Sequence, residues 1–390
     1  MLPYDFQRDK SNILITCPKG LAPYLVKEVR ECKMPVLGQY HTGIRTSGTM
    51  ADCMLLNLSL STGHHVLFEV LTAVCASPDE LYQAVTALEW ERLIPLDTTL
   101  SVTSMVKTAS INDTRFANLK CKDAIVDRLT QKTGSRCNSG PGRTGVVVHL
   151  YWQDEKCTLY LDTSGEPLSR RGYRLLPGSA PMQETLASGV IRATGWDGSS
   201  HFVNPMCGTG TLAIEAALIA LNRKPGMLRT NFGFMHMIPY DKTVYDVIRE
   251  RLASAEHGAP LVKIIATDIN PDRIADARKN AAAARVENSI EFSVCEFEKT
   301  PIPDGDGIVL LNPEYGFRMG DASGLRAVYK GIGDFFKQRC AGCTGYIFSG
   351  NFDLVKKVGL KANKKTPFYS GAIECRLYEY ELYAGSRQVG

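Results

Sequence analysis

The stretch Asn204-Pro-Met-Cys-Gly-Thr-Gly-Thr-Leu-Ala-Ile-Glu-Ala-Ala-Leu218 constrains this chain more than any other. The apolar run His201-Phe-Val203 before it suits a buried strand. Thr211 to Leu221 after it is rich in Ala, Leu and Ile, lacks Gly and Pro, and reads as a helix. Gly208 and Gly210 lie between the two. A glycine-bearing turn from strand into helix lets backbone amides approach a ligand and aims a helix N-terminus at it. In a doubly wound sheet such a turn falls at the carboxyl edge, where small ligands bind. Gly208, Gly210 and Ala213 also satisfy the degenerate dinucleotide fingerprint. A nicotinamide site and a ligand-free tight turn are therefore both open on the glycines alone.

The 390 residues suffice for two or three domains. No apolar run approaches the length of a bilayer span, and the polar first ten residues do not resemble a signal sequence, so no membrane partner is expected. The 12 cysteines are scattered without a framework of spacings, as suits a large chain in the reducing cytoplasm. Cys340-Ala-Gly-Cys343 lacks a second pair or a nearby His, so no metal is expected.

The formal charge of +4 is unevenly placed. Lys107, Arg115, Lys120, Lys122, Arg128, Lys132, Arg136 and Arg143 face only Asp113, Asp123 and Asp127 between residues 101 and 150, which makes that segment net +5. Concentrated positive charge of this kind suits a surface that holds a phosphate backbone, with a solvated helix face as the plain alternative. The first half otherwise alternates short strands and helices. Strands are expected at 12–16, 43–46, 66–71 and 99–106, with a hairpin joining 145–151 to 156–162. Ser77-Pro-Asp-Glu80 has the form of a capping box with Pro at the first helical position.

Ser164 to Arg174 is rich in Gly and Arg, and 175–181 contains two prolines, which together mark a linker. Arg170, Arg171 and Arg174 are placed to contact phosphates, and Tyr173 to stack on a base; the plain alternative is a basic linker. Beyond Gln183 the pattern is parallel α/β, with strands expected at 262–270, 290–297, 307–313 and 345–349 and further strand content from 374 to 383. Lys356, Lys357, Lys361, Lys364 and Lys365 suit either an addition to an RNA surface or a solvated lysine-rich loop.

Asp268 ends the strand after the glycine turn and can accept from both hydroxyls of a ribose. It arrives only after a long insertion, 223–260, rather than the roughly 20 residues of a dinucleotide unit, which weakens the nicotinamide reading. Asn312-Pro-Glu-Tyr315 ends a later strand. The Asn312 side-chain carbonyl and the Pro313 carbonyl can accept both hydrogens of a base's exocyclic amine and aim its lone pair at an electrophilic methyl. Tyr315 can stack on the base, so the work is positioning. A strand closing in a common Asn-Pro turn is the plain alternative.

Asn204–Thr211, Asp268 and Asn312–Tyr315, continued by Gly316-Phe-Arg-Met-Gly320, resemble the class I S-adenosylmethionine-dependent amino-methyltransferases. Cys17-Pro-Lys-Gly-Leu21, Lys122-Asp-Ala-Ile-Val-Asp-Arg128, Ser169-Arg-Arg-Gly-Tyr-Arg174 and Tyr369-Ser-Gly-Ala-Ile-Glu-Cys-Arg376 are similar to the THUMP-containing RNA guanine-N2 methyltransferases, in family order over nearly the whole chain. The resemblance implies an α/β protein with a ferredoxin-like module over 1–65, an RNA-binding THUMP domain over 66–163, a linker over 164–182 and a Rossmann-like methyltransferase domain over 183–390. It implies S-adenosyl-L-methionine as cofactor, held by Asn204, Pro205, Met206, Gly208 and Gly210, with Asp268 on its ribose, Ile269 against its adenine and Glu296 on the adenine amine. Asn312, Pro313 and Tyr315 would hold the guanine, and Lys107, Lys120, Lys122, Arg170, Arg171, Tyr173 and Arg174 the RNA.

The implied substrate is a guanine N2 in 23S ribosomal RNA. Transfer RNA, an adenine amine and a non-catalytic ribosome-assembly role remain alternatives. Four positions depart from the family pattern: Asn204 replaces Asp, Glu296 replaces Asp, Phe317 replaces Glu, and Glu314 replaces the second Pro of Asn-Pro-Pro-Tyr. A following proline restricts the backbone of the residue before it, so Glu314 relaxes the direction of the Pro313 carbonyl.

Overall fold

The fold is that of a computed structural model that describes residues 5–6, 8–111, 113–175, 182–315 and 322–383. Gly316–Gly320, with Phe317, and Pro177 and Pro181 of the linker lie outside the described residues. The first half forms β1 (Ser11–Thr16), α1 (Ala22–Glu31), β2 (Gly38–Tyr40), β3 (Gly43–Gly48), α2 (Met50–Ser59), β4 (His65–Val74), α3 (Pro78–Ala87), β5 (Thr99–Lys107), α4 (Thr114–Thr133), β6 (Asn138–Ser139), β7 (Val146–Gln153) and β8 (Lys156–Asp162). There follow α5 (Glu184–Ala193), β9 (His201–Pro205), α6 (Thr211–Ala220), α7 (Lys242–Ser254), β10 (Ile264–Asp268), α8 (Pro271–Ala283), β11 (Glu291–Val294), β12 (Gly307–Leu311), α9 (Ala322–Arg339), β13 (Thr344–Ser349), α10 (Phe352–Val355), β14 (Lys364–Ser370) and β15 (Ile373–Glu381).

The chain divides into two compact units, one of Met1–Cys17, Leu25–Leu168 and Arg229–Arg251, the other of Pro18–Tyr24, Ser169–Leu228 and Leu252–Gly390. In the first, eight strands run in the order β2-β3-β1-β4-β8-β7-β5-β6. β1 pairs with β4 from Ile13↔Phe68 to Thr16↔His65, so the segments assigned above to 1–65 and 66–163 share one continuous sheet. Joining them there leaves no open strand edge between the two. The β7–β8 hairpin turns at Asp154, whose φ of 54° is the left-handed region an Asp tolerates in a tight turn.

At α3, Ser77 Oγ accepts from the Glu80 N–H at 3.3 Å, but the Glu80 carboxylate accepts from Ala76 rather than from Ser77. Half of the expected box therefore forms. The complete box lies at Thr49 and Asp52, ahead of α2.

Part of the long insertion belongs to this first unit. The Arg229 guanidinium donates to the carbonyls of Glu166 and Pro167 at 3.0 Å and of Ser164 at 3.1 Å. Phe232 and Phe234 are fully buried and stack at 5.1 Å. A Cβ on Gly233 would meet the Asp162 carbonyl at 2.2 Å, so only glycine lets this segment lie against the end of β8.

The second unit holds a seven-stranded sheet in the order β11-β10-β9-β12-β13-β15-β14. The first five strands are parallel; β15 runs antiparallel to both β13 and β14. The chain starts at β9, winds outward through β10 and β11, and returns on the other side of β9 as β12. The carboxyl ends of β9, β10 and β12 thus flank a topological switch point. Val203, Ile265, Val309, Leu311 and Ile347 of the strands pack with Tyr329, Ile332, Phe335 and Phe336 of α9 in one core. The antiparallel β14–β15 pair departs from the all-parallel dinucleotide order. The lysine-rich segment is not one loop: Lys364 and Lys365 begin the edge strand β14, where charge discourages pairing with another sheet. Among the described residues no helix is long and apolar enough to cross a membrane.

Candidate functional site

The glycine turn folds as its residues require. β9 ends at Pro205, and Met206, Gly208 and Gly210 all take positive φ, at 57°, 55° and 85°. The turn is closed by Cys207 N–H on the Thr267 carbonyl at 2.9 Å and Gly210 N–H on the Cys207 carbonyl at 3.0 Å. A Cβ on Gly210 would come within 3.0 Å of the Ala277 Cβ, so glycine also lets α8 pack close. A Cβ on Gly208 would meet nothing within 4 Å, which leaves that side of the turn open. Asn280 of α8 fixes the far side by donating to the Thr209 carbonyl at 3.1 Å.

Asp268, at the end of β10, accepts from the Gly208 N–H at 2.9 Å and from the Asn270 N–H at 3.0 Å. Its carboxylate is thereby aimed along the turn. Ile269 beside it is 68% exposed, an apolar side chain left largely open to solvent. Glu296 follows β11 and is exposed, paired with Lys299 at 2.8 Å.

Asn204 is fully buried, and its Nδ2 donates to the Leu310 carbonyl of β12 at 2.8 Å. The Asp usual at this position could not make that bond while ionised, which gives the neutral amide a structural reason. Its Oδ1 is buried without a partner, and a buried acceptor of that kind is costly unless a donor is supplied. Cys207, in the same turn, is no nucleophile: burial, and then the Asp268 charge, pushes its thiol far up.

β9 and β12 pair in register from Gly307↔His201, so Asn312 emerges at the same sheet edge as the glycine turn. Asn312 is partly buried and accepts from the Tyr315 hydroxyl at 2.5 Å. Burial raises the Tyr315 phenol well above its ordinary range, which keeps the hydroxyl protonated as a donor. The Tyr315 ring leans on Phe348 at 6.4 Å between centroids, and Phe348 meets Phe368 edge-on at 6.0 Å. Pro313 is buried and Glu314 exposed.

Arg171 and Tyr173 serve a different purpose from the one expected of them. Arg171 is 1% exposed and donates to Glu215 of α6 at 2.8 and 3.2 Å, while the buried Tyr173 hydroxyl donates to the same carboxylate at 3.0 Å. Burial drives the Glu215 carboxyl up, and the Arg171 guanidinium draws it back. Arg174 pairs with Glu184 at 3.0 Å and reaches the Met182 carbonyl and Thr211 Oγ1. Arg171 and Tyr173 therefore cannot meet RNA: desolvating Glu215 demands a counter-charge and a donor, and the linker supplies both. Arg170 is exposed. In the first unit Lys107 is exposed, Lys120 pairs with Asp79 at 2.9 Å over the Tyr82 ring, and Lys122 pairs with Asp123 at 3.0 Å. The described residues contain no group of three His, Cys, Asp or Glu side chains that could hold a metal.

Sequence reasoning missed Glu215, Asn280, Tyr329 and Asn351. A lone acid within the apolar helix 211–220 was a legible signal for the first, since such a charge must find a partner. The other three carried none.

A switch-point glycine turn on β9, a carboxylate closing β10 on one side and an Asn-Pro-x-Tyr tip following β12 on the other define a Rossmann-like domain with its polar groups gathered at one sheet edge. Residues 171–379 match the RMKL-like methyltransferase domain, UPF0020, and residues 75–162 match the THUMP domain. The chain belongs to this RMKL-like methyltransferase family.

It is 33% identical over 377 residues to the ribosomal RNA large subunit methyltransferase K/L of Syntrophotalea carbinolica, covering 94% of this chain and 53% of the relative. The chain thus spans about half the length of the curated relatives it matches. Among solved structures, SMU.472 complexed with SAH superposes with a TM-score of 0.86 at 24% identity, over 98% of this chain and all of that one, and shows the same fold. A Listeria monocytogenes protein named "a predicted N6-adenine-specific DNA methylase" also reaches 0.86, at 27% identity over 97% of each chain.

Proposed function

We propose that the protein is an S-adenosylmethionine-dependent RNA methyltransferase acting on the exocyclic N2 of a guanine, with large-subunit ribosomal RNA as substrate. The observation that carries this reading is the single sheet edge where the Gly208–Asp268 turn and the Asn312 carboxamide emerge from neighbouring strands. The name of the Syntrophotalea relative supports the RNA class, and the THUMP match supports an RNA grip in the first unit. That SMU.472, of the same fold, is complexed with SAH supports the cofactor.

The residues fit such a cofactor. The unpartnered Asn204 Oδ1 offers an acceptor to an ammonium, Gly208 leaves room for close approach, and Asp268 is aimed to accept from ribose hydroxyls. Ile269 offers an apolar face to a purine, and Glu296 an acceptor to its amine. When bound, S-adenosylmethionine supplies an electrophilic methyl. Asn312 Oδ1 and the Pro313 carbonyl hold the two hydrogens of the target amine, which turns the nitrogen lone pair toward the glycine turn. Tyr315 fixes the plane of the base. No strong base is needed before transfer, because the positive charge that develops on nitrogen is met by two acceptors already in place, and the methylated nitrogen, then strongly acidic, releases its extra proton to water. The base must leave its helix to reach this edge, so an unpaired or flipped nucleotide is expected.

An adenine amine is the second reading, since the same two acceptors suit it and the Listeria relative bears that name. Nucleoside mass spectrometry separates the two after incubation with S-adenosylmethionine and ribosomal or transfer RNA from cells lacking the protein. N2-methylguanosine in ribosomal RNA is the expected product. N6-methyladenosine would install the second reading, and transfer without preference for ribosomal RNA would remove the substrate assignment. Cofactor binding without any transfer would leave an RNA-gripping assembly factor.

A further inference from the structure

Glu314 stands where a second proline would restrict the backbone of Pro313, and the structure holds this turn by other means. The Tyr329 hydroxyl, fully buried on α9, donates to the Glu314 carbonyl at 3.3 Å. Asn351 Nδ2 donates to the Tyr315 carbonyl at 2.9 Å. The two donors are joined through Ser349, at the buried end of β13: its Oγ lies 2.9 Å from the Tyr329 hydroxyl and accepts from the Asn351 N–H at 3.1 Å. Asn351 is itself fixed, because its Oδ1 caps α10 through the Leu354 N–H at 3.1 Å.

Both carbonyls that follow Pro313 are therefore tied to one polar bracket built from α9, β13 and the start of α10. Its members are satisfied by one another, and such networks hold geometry better than isolated bonds do. We infer that Asn351 and Tyr329 are positioning residues for methyl transfer: they set the Pro313 carbonyl and the Tyr315 ring in place of the absent proline. This inference rests on the reading of the site as an amine methyltransferase.

The bracket and the proline are alternative solutions to one problem, so they should substitute for each other. Asn351→Asp keeps an oxygen to cap α10 but replaces the donor to Tyr315 with an acceptor facing a carbonyl. Its expected effect is a fall in kcat of up to about a hundredfold, the scale of a small misplacement of a catalytic group. The KM for S-adenosylmethionine should stay within about threefold, and the melting temperature should hold. Tyr329→Phe, which removes one hydroxyl from an otherwise unchanged core, should lower kcat in the same sense. In a Glu314→Pro background both losses should shrink to less than about threefold.

Wild-type kcat in Asn351→Asp and Tyr329→Phe, or equal losses with and without Pro at 314, would overturn the inference while leaving the methyltransferase reading intact. Absence of methyl transfer by the unmodified protein would instead overturn that reading, and this inference with it.

Discussion

The backbone N–H of Gly208 donates to Oδ2 of Asp268 at 2.9 Å, joining the turn after β9 to the tip of β10. Sixty residues of chain separate the two, and the parallel register of β9 and β10 brings them together. One carboxylate oxygen is thus used to shape the turn and the other holds Asn270 at the start of α8. The carboxylate has lone pairs left over, and their direction is fixed before any ligand arrives.

Replacing Asp268 with Ala removes both the partner of Gly208 and the acceptors offered to a ribose. Hydrogen bonds to a charged group contribute about 1.5–3 kcal/mol each, so S-adenosylmethionine should bind at least tenfold more weakly. Calorimetric titration checks this. An affinity within twofold of the unmodified protein would place the cofactor elsewhere.

Arg171→Met leaves Glu215 buried without its counter-charge and should destabilise the second unit by about 3–5 kcal/mol. The double substitution Arg171→Met/Glu215→Leu should recover most of the loss, because an apolar pair of similar volume needs no compensation. Urea unfolding of the three proteins tests the pair. If Arg171→Met kept full stability and lost RNA affinity instead, the guanidinium would be an RNA contact after all.

Stability should fall with pH through one histidine. Burial depresses His149 to about 4, helped by the charges of His65 and Arg143 and opposed by Asp162. Its Nδ1 lies 2.9 Å from Thr103 Oγ1. The unfolded chain binds a proton near the ordinary value of 6.5, and the folded chain does not until about 4. Protons therefore favour unfolding in that window, and stability present above pH 6.5 is lost as the pH falls toward 4, by about 3 kcal/mol at most. Trp90 and Trp152 are fully buried in the first unit, so their fluorescence reports its unfolding. His149→Asn should flatten the pH dependence over this range; an unchanged slope would assign it to other groups.

These relationships were legible in the sequence to different degrees. The glycine turn, the carboxylate ending the next strand and the Asn312 tip stood out because each needs a particular residue at a strand end. The Rossmann-like sheet followed from the apolar runs between them. Arg171 and Tyr173 were misread because an Arg-Gly-Tyr-Arg run looks the same whether it faces RNA or a buried acid. What separates the two is Glu215, more than 40 residues away on α6, and only the packing of α6 brings it near. Segment 229–251 gave no local sign of joining the first unit, since its anchor is one guanidinium on three distant carbonyls. Asn351 carried no signal in the sequence, because what distinguishes it is a bond to the Tyr315 carbonyl that only the fold makes.

In the proposed reaction Asn312 holds the amine that receives the methyl group. Asn312→Ala removes one of two acceptors that matter chiefly in the transition state. Single-turnover transfer of labelled methyl to ribosomal RNA, with cofactor affinity measured on the same preparation, tests it most directly. The expected result is a fall in rate of about 10²–10³-fold with S-adenosylmethionine affinity within about threefold of the unmodified protein. A variant that transfers methyl at the original rate would contradict it.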